Sequence, residues 1–317
     1  MQATLLTTVL LPLALGVIML GLGLGLAGED FRRIARYPRA VLVGLALQVL
    51  VLPWAAFALA LLFGLPPALA VGLMLLAASP GGATANIYSH LARGDVALNI
   101  TLTAINSLLC LVTLPIVLNL ALGYFMGSGQ YVPPPVSKVV EVALVIVLPV
   151  ALGMGLRRLA PGFAARAERP IRVASVLVLA LLIVAAVAQS WQVLLAHVAA
   201  VGLACLLFNL VSMGVGYGAP RALRLPRGQA IAISMEIGIH NGTLAIFIAL
   251  NVLQDAAMSV PAAVYSLLMF FTAAAFALWL NRRGAGAAAP TAPVGGHARL
   301  RTSGSGSAPV PAPPAGE

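Results

Sequence analysis

The sequence contains few charged residues. They make up 8% of 317 residues, whereas an ordinary soluble domain has roughly 25%. A water-facing surface cannot be built from so few charges, so soluble enzyme folds are excluded. Cysteine is almost absent: Cys110 and Cys205 each lie within an apolar stretch, which excludes a disulfide framework and a cysteine metal cluster.

What the chain does contain is apolar sequence. Hydrophobic residues account for 61% of it, and the mean hydropathy is +1.04. The apolar runs reach the roughly 20 residues needed to cross a hydrocarbon core about 30 Å thick. We therefore predict an all-α membrane protein with the lipid bilayer as a partner. The first run begins close to Met1 without a basic segment before it, so we expect no cleavable signal peptide.

Breaking the apolar runs at charged, Gly and Pro clusters predicts about nine transmembrane helices. Each boundary carries an error of about ±4 residues. The predicted spans are residues 4–27, 38–64, 68–91, 95–124, 137–159, 170–189, 192–219, 228–251 and 257–282.

Basic residues divide unequally between the two sides of these spans. Lys138 alone falls on one side, and the other 17 of the 18 Lys and Arg residues fall on the opposite side. The positive-inside rule makes that side cytoplasmic, with the N-terminus outside. We predict a multi-pass protein of the inner (plasma) membrane, with a transporter domain over 1–283 and a disordered cytoplasmic tail over 284–317. The net charge of +10 is not clustered with aromatic residues, so no nucleic-acid partner is expected.

Two spans are interrupted by polar and helix-breaking residues. The third contains SPGGATAN (79–86), and the eighth contains MEIGIHNGT (235–243). The two spans cross the membrane in opposite directions, which is the sequence signature of an inverted-repeat secondary transporter. We predict a first repeat over 4–124, an unpaired helix over 137–159 and a second repeat over 170–282.

Glu236 is the only acidic residue predicted to lie deep in the membrane, where an ionised carboxylate is costly. It requires a cation, a proton or a wet cavity, unless it is a protonated group that bonds a neighbouring helix. His240 follows four residues later on the same helix face. It could carry a proton, pair with Glu236 or donate as a neutral ring to another helix.

A polar stripe opens the fourth span. Asn99, Thr103 and Asn106 share one face of an otherwise apolar helix. Such residues can simply bond neighbouring helices. Further oxygen-bearing side chains in other spans are Gln48, Asn86 and Glu236. Taken together, these hard oxygen donors favour a small hard cation such as Na⁺.

The interrupted segments resemble the bile acid:sodium symporter family. The similar stretches are SPGGATANIYSHLARGDVALNIT (79–101), MEIGIHNGTLA (235–245) and LQVLVLP (47–53), and the order and spacing agree from about residue 8 to 282. The resemblance implies inverted repeats, a panel domain and a core domain, and two broken helices that cross. It also implies two Na⁺ ions and uptake of an organic anion.

Carried over position by position, the resemblance implies two sodium sites and a substrate-facing set. The first sodium site would comprise Asn86, Asn99, Thr103 and Glu236. The second would comprise Gln48, Glu236, the carbonyls of Ile237 and Ile239, and His240. The substrate would face Ala83, Thr84 and Asn241.

The chain departs from the family pattern at three of these places. Ala85 replaces a frequent Ser, and Ala83 replaces a frequent Thr, with Thr84 one place later. His240 stands where a sodium-binding Gln is usual. A neutral imidazole offers one acceptor nitrogen and a protonated one offers none, so this position could bind a metal only in the neutral state.

The sequence thus predicts a sodium-coupled symporter for an organic anion, either bile-acid-like or a small carboxylate such as pantoate, that works by alternating access. The alternative is a proton-coupled transporter that uses Glu236 and His240. No GxSxG or HExxH motif supports an intramembrane enzyme. We expect no cofactor apart from Na⁺ as the coupling ion, and the sequence does not select among anions.

Overall fold

The computed structural model describes residues 11–32, 35–82, 84–127, 136–189 and 191–285. Within these residues the regular structure is helical, apart from one isolated bridge between two backbone segments. The α-helices are α1 Leu11–Gly25, α2 Gly28–Arg32, α3 Pro38–Ala46, α4 Leu52–Leu62, α5 Pro67–Ala78, α6 Ala85–Leu91, α7 Val96–Phe125, α8 Val136–Leu159, α9 Pro161–Gln189, α10 Trp191–Ala222, α11 Arg227–Gly238, α12 Gly242–Phe247 and α13 Val260–Ala285.

Among the described residues, four helices are long and apolar enough to cross a bilayer: Pro38–Leu62, Val96–Phe125, Leu195–Ala222 and Ala257–Arg282. Shorter apolar helices cover Leu15–Gly25, Pro67–Ala78 and Gly242–Val252. The predicted all-helical membrane class is therefore confirmed. The count of nine spans, the inverted repeats and the panel and core domains stay predictions.

The helix α9 differs from its predicted span. It begins at Pro161, whereas we predicted a loop up to residue 170. Proline is well suited to the first position of a helix, because the missing N–H would have no partner there. Pro170 lies inside α9 without ending it. The predicted tail lies outside the described residues from position 286 onward.

Helices α1 and α8 pack closely through glycine. A Cβ on Gly23 would overlap the backbone of Val150, and one on Gly153 would overlap the backbone of α1. Small residues allow such close approach between membrane helices. Buried side chains of α3–α7 and α10–α13 share one apolar core, which Leu15 and Met19 of α1 join.

A π-helical turn, Leu47–Val51, connects α3 to α4. The N–H of Leu52 bonds the carbonyl of Leu47, five residues back. Pro53 follows and has no N–H with which to continue regular α-helical bonding. The wide turn carries Gln48, which is 4% exposed, into the protein interior.

Candidate functional site

The first broken helix is α5 followed by α6. Ser79 has an extended backbone (φ −74°, ψ 147°), which is the conformation that a residue before proline prefers. The Ser79 hydroxyl donates to the Leu76 carbonyl at 2.6 Å. Pro80 and the following glycines then separate α5 from α6, so the chain changes direction inside the protein.

The second broken helix is α11 followed by α12. Its first part ends at Gly238, and Ile239 is extended (φ −116°, ψ 90°). Asn241 caps the second part, because its Oδ1 accepts from the Leu244 N–H at 3.1 Å. A side-chain oxygen of this kind satisfies one of the free N–H groups at a helix start.

The two breaks cross and bond to each other. Gly82 N–H donates to the Ile239 carbonyl at 2.7 Å, and Asn241 N–H donates to the Pro80 carbonyl at 2.8 Å. Irregular backbone within a membrane protein is stable only where its polar groups find partners. Each break supplies bonds that the other has lost, so the crossing is a rigid structural unit.

Glu236 lies beside this crossing and is fully buried. Thr103 Oγ1 donates to its Oε2 at 2.5 Å, and Asn106 Nδ2 donates to its Oε1 at 3.1 Å. The N–H of Gly81 also bonds the carboxylate. A Cβ on Gly81 would overlap the carboxyl group, so any larger residue at this position would displace the carboxylate.

Asn99 belongs to the same cluster. Its Nδ2 donates to the Ala232 carbonyl at 2.7 Å, and Ala232 lies one helical turn before Glu236. The structure thus brings together Asn99, Thr103 and Glu236 of the predicted first sodium site. Their role as ligands stays a prediction.

Gln48 contacts the first break. Its Nε2 donates to the carbonyls of Ala77 and Ser79, at 3.1 and 3.0 Å. This fixes the side-chain oxygen as an acceptor that points away from those carbonyls. The buried amide oxygens of Gln48, Asn99, Asn106 and Asn209 have no hydrogen-bond partner among the described residues. Oxygen atoms of this type suit Na⁺, and those of Gln48 and Asn99 belong to the predicted sodium sites.

His240 contacts the same carbonyl as Gln48. Its Nδ1 lies 3.2 Å from the Ser79 carbonyl. Because a carbonyl only accepts, Nδ1 carries a proton, and in a neutral ring Nε2 keeps the lone pair. Phe208 stacks on the imidazole at 5.6 Å between ring centroids, and Tyr265 meets it edge-on at 5.4 Å. No described hydrogen bond joins His240 to Glu236.

The Gly238 carbonyl, at the end of α11, accepts two hydrogen bonds. The Tyr265 hydroxyl and Asn209 Nδ2 each donate to it at 2.9 Å. Asn209 also donates to the Tyr265 oxygen at 2.9 Å. Sequence reasoning missed both residues, since single polar groups in apolar spans carry no signal of their partners. Ile237 and Ile239 are fully buried beside this carbonyl.

Sequence reasoning also left Asn106 and Gly81 out of the ligand sets. The polar stripe of α7 had marked Asn106 as a neighbour of Thr103, so a signal for it existed. Gly81 was recognised only as a helix breaker. Its contact with Glu236 depends on how the two breaks cross, which no local pattern encodes.

A cavity of about 460 Å³ adjoins the crossing. Its walls include Thr84, Asn86, Thr103, His240 and Asn241. The cavity extends past His90 towards the start of α7, and α1 forms another wall. Its described lining contains no Lys, Arg, Asp or Glu.

Two of the three predicted substrate-facing residues lie at this cavity. Thr84 and Asn241 line the cavity, whereas Ala83 lies outside the described residues. Asn86, a predicted sodium ligand, lines the same cavity. The described residues hold no cluster of three or more His, Cys, Asp or Glu side chains for a metal ion, so any cation site here depends on neutral oxygen atoms around one carboxylate.

Comparison with known proteins finds related sequences, of which three follow. The chain is 29% identical to the probable sodium/metabolite cotransporter BASS2, chloroplastic, of Oryza sativa subsp. japonica, over 89% of this chain and 66% of that protein. It is 28% identical to the uncharacterized sodium-dependent transporter YocS of Bacillus subtilis (strain 168), over 80% of this chain and 77% of that protein. It is 31% identical to the P3 protein of Mus musculus, over 69% of this chain and 46% of that protein.

The family itself is established by a match to a family model. Residues 12–197 match the Sodium Bile acid symporter family, which is more than half of the chain. This range ends before α11, so Glu236 and the second break are not part of that match. The chain belongs to the sodium bile acid symporter family, a family of membrane transporters and not of enzymes.

Proposed function

We propose that this protein is a sodium-coupled symporter for an organic anion and that Glu236 is the central cation ligand. The observation that carries the proposal is the buried carboxylate of Glu236, bonded by Thr103 at the crossing of two broken helices, while Asn99 bonds the Ala232 carbonyl one helical turn before it. Neutral oxygen atoms around one carboxylate suit a monovalent hard cation.

The cavity supports coupling between cation and anion. Its described lining has no Lys or Arg, so an anionic substrate would meet no permanently charged donor there. A Na⁺ ion beside Thr103 would add positive charge next to the cavity, because this hydroxyl contacts Glu236 and also lines the cavity wall. Binding of the cation would therefore strengthen binding of the anion.

The size of the cavity fits the proposed class of substrate. At about 460 Å³ it lies within the usual range of ligand pockets, about 300–1,000 Å³. A bile-acid-like molecule or a small carboxylate such as pantoate would fit. We further propose that the protein resides in the plasma membrane with its C-terminus in the cytoplasm and transports by alternating access.

Coupling to protons through Glu236 and His240 is the competing scheme. The contacts favour sodium, because Glu236 is bonded by Thr103 and Asn106, whereas His240 bonds the Ser79 carbonyl and no described hydrogen bond joins it to Glu236. A protonated His240 would need an acceptor at Nε2, and no such partner exists among the described residues.

Uptake into proteoliposomes tests the proposal. Radiolabelled pantoate and taurocholate serve as probes, under either an inward Na⁺ gradient or a pH gradient without Na⁺. We expect uptake driven by Na⁺, with Glu236→Gln abolishing it. Asp255→Asn is the matched control, because Asp255 only caps a short turn at Ala257 N–H (2.8 Å) and should keep its activity.

His240→Gln separates the two schemes. In the sodium scheme this variant keeps Na⁺-driven uptake, because an amide can still donate to the Ser79 carbonyl. In the proton scheme it loses uptake. Wild-type uptake that ignores the Na⁺ gradient, or an active Glu236→Gln, would refute the sodium proposal.

A further inference from the structure

Asn106 donates to Glu236 a hydrogen bond with which a cation bound at the same oxygen would compete. We propose that Asn106 stabilises the ionised Glu236 carboxylate when no cation is bound, and thereby allows the empty transporter to return to its starting conformation. This inference rests on the proposed function, since it assigns a residue to the cation-free half of the transport cycle.

The first step of the argument is that Glu236 already has a donor on each oxygen. Thr103 bonds Oε2 at 2.5 Å and Asn106 bonds Oε1 at 3.1 Å. The Gly81 N–H adds a third donor from the other broken helix. A buried carboxylate is stable only with such compensation. The three donors therefore supply, without a cation, what the negative charge requires.

The second step distinguishes Asn106 from Thr103. The Thr103 hydroxyl also lies 3.0 Å from the Asn99 carbonyl, so its single hydrogen can turn there and leave its oxygen free to bind a cation. Asn106 faces Glu236 with its amide NH₂, which can only donate and which a cation repels. A cation bound at Oε1 would therefore compete with this donor and weaken its hydrogen bond.

The third step concerns the position of Asn106 relative to the two cavities. Asn106 lines a second, water-sized cavity of about 10 Å³, together with Gln48 and Pro80. Thr103 lines the large cavity. Asn106 therefore approaches Glu236 from the side away from the large cavity, where it can hold the carboxylate without obstructing substrate.

The functional consequence follows from the transport cycle. After a coupled transporter has released its cargo, it must return empty, with Glu236 buried and no cation beside it. Without the Asn106 donor, the free energy of the empty, ionised state rises relative to the Na⁺-bound state. Release of Na⁺ then becomes less favourable and fewer carriers are empty. We expect the net return to slow roughly tenfold, the effect of losing one hydrogen bond to a charged group. Exchange of loaded carriers does not include this step.

The experiment compares two transport modes in proteoliposomes that contain Asn106→Leu. Net uptake under an inward Na⁺ gradient requires the empty return. Exchange of labelled for unlabelled substrate, with Na⁺ on both sides, does not. The matched control is Asn119→Leu on the same helix, because Asn119 has no described contact with Glu236.

The expected result is net uptake at least roughly tenfold slower, exchange within about twofold of wild type, and half-saturation at a lower Na⁺ concentration. Parallel loss of both modes, or no change in either, would overturn the proposal, since a merely structural role affects both. If wild type shows no Na⁺-dependent uptake, the proposed function fails as well, which is a distinguishable result.

A second variant guards against misfolding. If Asn106→Leu cannot be purified, Asn106→Ala replaces it, and the rise in melting temperature on adding NaCl is measured in detergent. Destabilising only the empty state makes this rise larger than in wild type. An equal or smaller rise contradicts the role of Asn106.

Discussion

The two broken helices face the same backbone problem but carry different chemistry. In both, a side-chain amide from the preceding helical segment donates to a carbonyl at the break. Gln48 bonds Ala77 and Ser79 in the first, and Asn209 bonds Gly238 in the second. Only the second break has a carboxylate beside it, at Glu236.

This difference teaches that the two breaks are complementary. The first supplies space and a backbone donor, because Gly81 lies against the Glu236 carboxylate. The second supplies the charge. Neither break alone is a complete cation site, so the site forms only where the two broken helices cross. The variants below test this division of roles, from the largest expected effect to the smallest.

Gly81→Ala should have the largest effect. Its Cβ would overlap the Glu236 carboxylate, so we expect Na⁺-driven uptake to fall by roughly two orders of magnitude, the scale reported for misplaced reacting groups. Gly82→Ala is the control, because its Cβ would lie 3.1 Å from the His240 carbonyl, a contact that small shifts can relieve. If Gly81→Ala and Gly82→Ala were equally active, the proposal that the first break provides space for the Glu236 carboxylate would be refuted.

Gln48→Leu should destabilise the first break. It leaves the Ala77 carbonyl without this donor, whereas Ser79 keeps its bond from His240. An unpartnered buried carbonyl costs about 1–3 kcal/mol. Thermal unfolding in detergent should show a clearly lower melting temperature than in wild type. An unchanged melting temperature would mean that this amide is not needed at the break.

The second break should tolerate single losses better. Gly238 has two donors, so Asn209→Leu or Tyr265→Phe alone should cost about 1 kcal/mol. The double variant leaves the carbonyl without either donor and should cost more than the sum of the two. A double-mutant cycle of melting temperatures measures this coupling. Simple additivity would show that the two donors act independently.

Asn281→Ala should have the smallest effect. Its Nδ2 donates to the carbonyl of Leu91, the last residue of the first broken helix, at 2.9 Å. That bond is exposed, so water can replace it, and we expect less than about 0.5 kcal/mol, as for most surface changes. A large loss of stability would mean that the end of α6 contributes as much to stability as the crossing of the two broken helices.

Much of the fold could be predicted from local sequence. Pro80 with its glycines located the first break, and the polar run around Glu236 located the second. The spacing of Asn99 and Thr103 placed them on one face of α7, and in the structure both bond α11, Thr103 at Glu236 and Asn99 at the Ala232 carbonyl. The helix α9 contains the predicted span 170–189 but begins earlier, at Pro161, because neither the charged residues nor Pro170 ends the helix.

The partners at the site could not be predicted from the sequence. The sequence identified Gln48 and His240 as polar groups within apolar spans. That both bond the Ser79 carbonyl depends on the direction in which each side chain enters the crossing. The sequence likewise placed Asn106 on the polar stripe, but only the packing of α7 against α11 turned its amide onto Glu236.

By itself, the sequence determined that this chain is a helical membrane protein with two interrupted spans and one deeply buried acid. Apolar length, helix breakers and the high cost of burying charge are local properties of the chain. The tertiary structure alone decided which donors meet that acid, because those contacts join residues such as Thr103 and Glu236 that lie more than a hundred positions apart. Hydrogen bonds between residues so far apart in the sequence depend on how whole helices cross.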